Sequence, residues 1–187
     1  MIVSENKGNQ KTDQKAVSIP IVRLTRDEMK DLIEDIRKNV KLKLPQMAED
    51  GSEIIEDALQ LVIRAVMAQN NMLDVVVPMQ QVMGTIWMLL SRVTESLRAV
   101  AENAANRVDS AVTIIEHQRQ NEDVVRTFEE AEHTVNIANL ALKIAPLVVV
   151  RLVAANLPPE IRPPIMNEAE GVMMPVIEQP KKSKGWF

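Results

Sequence analysis

Apolar residues recur along most of this chain at intervals of three and four, the spacing that puts side chains on one face of an α-helix. Met29, Ile33, Ile36, Val40 and Leu44 predict a first helix that Pro45 stops. Thr25-Arg-Asp-Glu28 ahead of it has the spacing of a capping box, with Leu24 and Met29 placed for a hydrophobic staple. A second face, Ile55, Ala58, Val62, Ala65, Gln69, Met72 and Val76, predicts a helix that ends or kinks at Pro78. Two longer stripes follow. Ile86, Leu90, Val93, Leu97, Val100, Ala104, Val108, Ala111 and Ile115 approximate a heptad with one stutter, and Val124, Phe128, Ala131, Val135, Ala138, Leu142 and Ala145 repeat it. They are expected to pack as an antiparallel hairpin turning within residues 117–123, with one continuous helix as the alternative.

The flanks read differently. Residues 1–24 are polar, lysine-bearing and, over Val17–Leu24, extended around Pro20, so they predict an arm outside the core. Residues 25–44 form a basic amphipathic helix and residues 50–157 a helical body. In residues 158–187, Pro158, Pro159, Pro163, Pro164, Pro175 and Pro180 predict an extended, polyproline-like tail. The tail still carries many apolar residues, more than a solvated linker holds. Ile161, Ile165, Met173, Met174, Trp186 and Phe187 are therefore assigned to contacts with neighbouring subunits. The fold expected is all-α: an elongated helical bundle built on an antiparallel hairpin, with an extended N-terminal arm and a proline-rich C-terminal tail.

Composition agrees and narrows the function. In 187 residues there are no Cys, no Tyr, two Trp, two Phe and five Gly, and 46% of the chain is hydrophobic. That leaves Leu, Val, Ile, Ala and Met, which suit helix-on-helix packing and exclude a thiolate metal site or a disulfide framework. The scattered glycines form no phosphate-binding loop, His117 and His133 lie sixteen residues apart, and no Ser sits in a nucleophile elbow. Glu129, Glu130 and Glu132 read as a solvated charged face. No catalytic, cofactor-binding or metal-ligating residue is assigned, and no small-molecule substrate is expected. Met67, Met72, Met79, Met83 and Met88 cluster around Pro78 and read first as core packing, with an adaptable binding surface as the alternative.

The start of the chain lacks the apolar run of a secretory signal. The most apolar stretch, Ile137–Leu157, carries Lys143, Pro146 and Arg151, and two central cations outweigh much of its insertion energy at about 2.5–3.5 kcal/mol each. A transmembrane segment is not expected.

Charge supplies the sharpest functional signal. The formal net charge is −4, divided as +3 over residues 1–44, −7 over 45–157 and zero over 158–187. Arg37, Lys38, Lys41 and Lys43 crowd the end of the first helix beside its apolar stripe, the pattern of a surface that lies along phosphates or anionic lipid. The paucity of aromatics argues against base stacking and leaves sequence-independent backbone contact. A positive N-terminal end against a negative body suits head-to-tail association.

This organisation of arm, basic helix, helical body, neighbour-engaging tail and no cysteine resembles the major capsid proteins of filamentous archaeal viruses. The resemblance covers the whole chain at the level of architecture. It implies a virion coat protein that wraps double-stranded DNA, partnered by copies of itself or a related coat chain, and by segment position it implies phosphate contacts at Arg23, Lys30, Arg37, Lys38, Lys41 and Lys43. Two other readings stand beside it, both in the cytoplasm: a helical adaptor binding a protein partner, and a membrane-surface scaffold using the basic helix.

Overall fold

A computed structural model describes residues 15–43, 52–117 and 122–177. The chain runs β1 (Ala16–Ile19), α1 (Arg26–Lys43), α2 (Ser52–Ala68), a 3-10 turn (Asn70–Met72), β2 (Val75–Pro78), a second 3-10 turn (Met79–Gln81), α3 (Val82–His117), α4 (Glu122–Asn156) and α5 (Arg162–Ile177). The fold is all-α, as its periodicity predicts. At 36 and 35 residues, α3 and α4 are each about 50 Å long, and they pack on one another as a hairpin.

The apolar content of α4 explains the rest. From Ile144 to Val150, between Lys143 and Arg151, every side chain is apolar, and Ala141, Ala145, Val148, Val149, Val150, Leu152 and Val153 are all fully buried. A helix apolar all round must be covered all round. On one side lie Ile86, Leu89, Val93 and Leu97 of α3; on another, Ile55, Leu59, Val62 and Val66 of α2. By length and composition α4 could cross a membrane, but 67% of its most apolar window is buried against its neighbours.

Towards the loop end of the hairpin the stripe narrows. Ala104, Ala111, Ala131 and Ala138 are buried at 3% exposure or less, while Val100, Val108, Ile115, Val124, Phe128 and Val135 are half-buried. These are the predicted stripe positions, so both heptads hold. Of residues 117–123, where the turn is predicted, 118–121 lie outside the described residues.

Three expectations are corrected. First, the described part of the arm, residues 15–24, joins the core, and residues 1–14 lie outside the described residues. Val17, Ile19 and Val22 are 4% exposed or less, because β1 pairs antiparallel with β2 in the register Ala16↔Pro78 to Ile19↔Val75 and turns alternate side chains inward. Second, α2 stops at Ala68, ten residues before Pro78. Asn70 provides the reason: its side-chain oxygen accepts from the Val22 amide at 3.1 Å and its Nδ2 donates to the Val22 carbonyl at 3.2 Å. Asp74 then takes a positive φ of 65°, which Asp tolerates, and donates its amide to Ile19 at 2.8 Å, launching the β-branched run Val75–Val77 as a strand. Third, the segment after Pro159 is helical. Pro163 and Pro164 occupy the first turn of α5, where no intrahelical donor is needed, and the Ile161 carbonyl accepts the first helical bond from Ile165. Pro146 is likewise absorbed within α4.

Leu152→Ala is expected to cost about 2–5 kcal/mol in a denaturant titration, and Val112→Ala, at a position 38% exposed, about 0.5 kcal/mol or less. Asn70→Ala leaves both Val22 backbone groups without this partner and is expected to cost about 1–3 kcal/mol by the same measurement.

Candidate nucleic-acid interface and assembly surfaces

The capping box sets where α1 starts. Glu28 Oε2 accepts from the Thr25 amide at 2.8 Å and from its hydroxyl at 2.7 Å, and the Glu28 amide donates back to Thr25 Oγ1 at 3.3 Å. The Thr25 backbone hydrogen bond, with that of its side chain, holds the Glu28 carboxyl below the usual carboxylate range. Leu24 and Met29 are half-buried against the core, as the staple requires. Ile36 is the one fully buried α1 side chain among the described residues; Leu32 and Ile33 are half-buried. Asp27, Lys30, Asp31, Glu34, Asp35 and Lys38 are exposed, and the side chains of residues 39–43 lie outside the described residues.

Charge divides along this helix. Asp27, Glu28, Asp31, Glu34 and Asp35 all precede Arg37 and are interspersed with Arg26 and Lys30, whereas Arg37, Lys38, Lys41 and Lys43 follow with no carboxylate among them. Lys30, Arg37 and Lys38 come together around one open depression shared with Ile33, Glu34 and Glu56. Two of these cations have carboxylate partners: Arg37 reaches Glu56 of α2 at 3.3 Å, and Lys38 reaches Glu34 at 3.1 Å. Both are surface pairs of small net worth, about 0–1 kcal/mol, open to exchange for a phosphate. Arg23 is exposed but stands elsewhere, at a second cleft with Glu28, Asp31, Asp35, Arg151 and Asn156. The side chains of Lys41 and Lys43 lie outside the described residues.

That second cleft contains the group that periodicity does not find. Arg151 interrupts the apolar face of α4, its side chain is 18% exposed, and its guanidinium is paired with Asp35 of α1. Its Nε is buried without a hydrogen-bond partner. A cation that costs a membrane helix insertion energy serves here to pin α1 to the body. The one signal for it in the sequence is a lone arginine in the run Leu147–Ala154.

The expected subunit contacts of the tail divide as well. Ile161 and Ile165 are 5% and 3% exposed, so they are corrected: they close the chain's own core where α5 folds back on α4. The Arg162 guanidinium braces that corner by donating from Nε to the Leu157 carbonyl at 2.7 Å. The side chains of Met173 and Met174, and the whole of Trp186 and Phe187, lie outside the described residues. Exposed apolar surface occurs elsewhere, at Val76 (70%), Met88 (58%), Met67 (44%) and Ile114 (41%). The methionine cluster is thus split, with Met83 buried, Met72 and Met79 half-buried, and Met67 and Met88 facing solvent.

Among the described residues no three His, Asp or Glu side chains are grouped to hold a metal. His133 is exposed on α4, with Nε2 3.9 Å from Asp57 of α2, and His117 is exposed at the end of α3.

Asp35→Ala strands the Arg151 guanidinium beside apolar neighbours and is expected to destabilise the fold by about 1–3 kcal/mol, whereas Arg151→Met, which removes the buried charge, is expected to be close to neutral in the same thermal or denaturant assay. Because the folded-state pKa of Glu28 is lowered, its contribution is present above the ordinary value of 4.5 and disappears as pH falls through the lower folded value. Carbon NMR titration of Thr25→Ala is expected to show the Glu28 pKa rising towards that ordinary value.

Compared with models of protein families, with curated proteins and with solved structures, the chain matches none.

Proposed function

We propose that this chain is a non-enzymatic structural protein that self-assembles into a filament or shell, and in its sharpest form a viral coat protein that packages double-stranded DNA through phosphate contacts. The observation that carries the reading is the β1–β2 ribbon. Among the described residues no third strand pairs with it, and Val76 on its outer face is 70% exposed. A two-stranded sheet has an open backbone edge on each strand, and open edges with exposed apolar residues are templates for further chains. Met88, Met67 and Ile114 are further exposed apolar side chains.

The DNA part of the proposal rests on Lys30, Arg37 and Lys38 lying side by side on α1, whose last two turns add Lys41 and Lys43 to the same helix. No residue there stacks on bases, so contact is with the backbone and independent of sequence. The membrane-surface alternative loses support because the apolar face of α1 is already placed on the body through Ile36, Ile33 and Leu32. The adaptor alternative draws on the exposed methionines, which suit an adaptable protein surface.

Negative-stain electron microscopy of the purified protein, with absorbance at 260 nm before and after nuclease and high salt, tests the proposal. Filaments or shells that protect nucleic acid are expected, and the double variant Lys30→Ala/Lys38→Ala is expected to reduce the salt dependence of DNA binding by a slope of about two. Polymers without nucleic acid would overturn the DNA part, and discrete small particles the assembly itself.

A further inference from the structure

In the loop half of the hairpin the buried seam is made of alanines, Ala104 and Ala111 on α3 with Ala131 and Ala138 on α4, and the larger apolar residues beside it are only half-buried or exposed. Helical spacing sorts these by side. To one side of the alanines, rotated in the same sense on each helix, lie Val108, Val112 and Ile115 of α3 and Val125, Phe128 and Val135 of α4. In an antiparallel pair, positions rotated in the same sense fall on the same face, so these six form one apolar strip. Ala101 and Ala105 continue it, and from Ala101 to Ile115 it is about 21 Å long. The corresponding positions of the opposite face hold Arg107, Ile114, Thr127 and Thr134. The strip is edged by carboxylates. Glu102, Asp109 and Glu116 follow its outer side on α3 at intervals of seven, and Glu122, Glu129 and Glu132 follow it on α4. All six are exposed and, among the described residues, none is ion-paired. Arg126 lies on the far side of α4, with Asp123 and Glu130.

We propose that this strip is a docking surface for a basic amphipathic helix of a partner protein, about four turns long. The helix lays its apolar stripe between α3 and α4 and sets Lys or Arg against both acidic rims, completing a three-helix bundle. Charge selects this occupant. A second copy of the same face would bring six carboxylates against six, at a cost in like-charge repulsion. The chain's own basic helix, α1, already has Ile33 and Ile36 packed on the body. The apolar strip supplies the attraction, and the unpaired rims supply the discrimination between a basic helix and an acidic one. The surface is separate from the cations of α1, so the inference stands apart from the coat-protein reading.

The probe is a synthetic peptide of about 18 residues, leucine along one helical face and lysine on its flanks, titrated calorimetrically into the full chain at about 0.15 M salt. Saturable binding of one peptide per chain is expected, and none by the counterpart with glutamate for lysine. Val112 and Ile114 are 38% and 41% exposed on opposite faces of α3, so they form a matched pair. Val112→Asn is expected to weaken binding by about tenfold and Ile114→Asn by about twofold or less, with circular dichroism verifying the helical fold and Val112→Ala as the milder second variant. Glu129→Lys/Glu132→Lys is expected to weaken it by more than about tenfold, and Asp123→Lys/Glu130→Lys, the same charge change on the other side of α4, by far less. No binding, or equal losses within each matched pair, would overturn the strip as the site. Two further outcomes would overturn the partner. Self-association that Val112→Asn abolishes would give the face to a second copy. A several-fold gain in peptide affinity from Lys181→Ala/Lys182→Ala/Lys184→Ala would give it to the chain's own basic segment.

Discussion

A helical stretch with no polar side has no stable place in water unless other elements surround it, and Ile144–Val150 of α4 is such a stretch. Val148, Val149, Val150, Leu152 and Val153 are all at 1% exposure or less, and α2, α3 and α5 are the helices that cover it. α3 returns along one flank, α2 lies along another, and α5 folds back over its end. The hairpin thins to alanines at its loop end because fewer helices surround it there.

This constraint also gives the N-terminal arm its place. A free basic tail would leave Leu152 and its neighbours next to water. Instead α1 is fastened over the end of α4 by the Asp35–Arg151 pair, and β1 is fastened to β2 beside the Val22–Asn70 clamp. The segment from β1 through α1 therefore both carries the charges proposed to meet phosphate and contributes Val17, Ile19, Val22 and Ile36 to the core. Coupling between the two follows: a partner that draws α1 away from the body must also open the ribbon or break Arg151 from Asp35.

The helices were legible because helical periodicity is a local signal. The stripes from Ile86 to Ile115 and from Val124 to Ala145, and the Thr25–Glu28 capping box, appear in the structure at the positions the spacing predicts. What escaped were features set by distant partners. Val17, Ile19 and Val22 read as an arm because nothing within ten residues says that Asn70 and Val75–Val77 will meet them; the clamp joins positions 48 residues apart. Pro163 and Pro164 read as helix breakers because a breaker in the middle of a helix is harmless in its first turn, and only the fold decides which applies. The basic candidates were found as residue types, but their grouping was not. Lys30, Arg37 and Lys38 share one side of α1, and Arg23 belongs to the other cleft.

The account makes the arm part of the fold, and amide hydrogen exchange on the full chain measures that directly. It predicts the slowest exchange in the α4 amides from Ile144 to Ala154, with the Val17, Ile19 and Val22 amides protected well above unfolded-chain rates and exposed together with those of Val75 and Val77. Val17–Val22 exchanging as an unfolded peptide while α4 stays protected would contradict it, and would make the segment the free tail that its composition alone suggests.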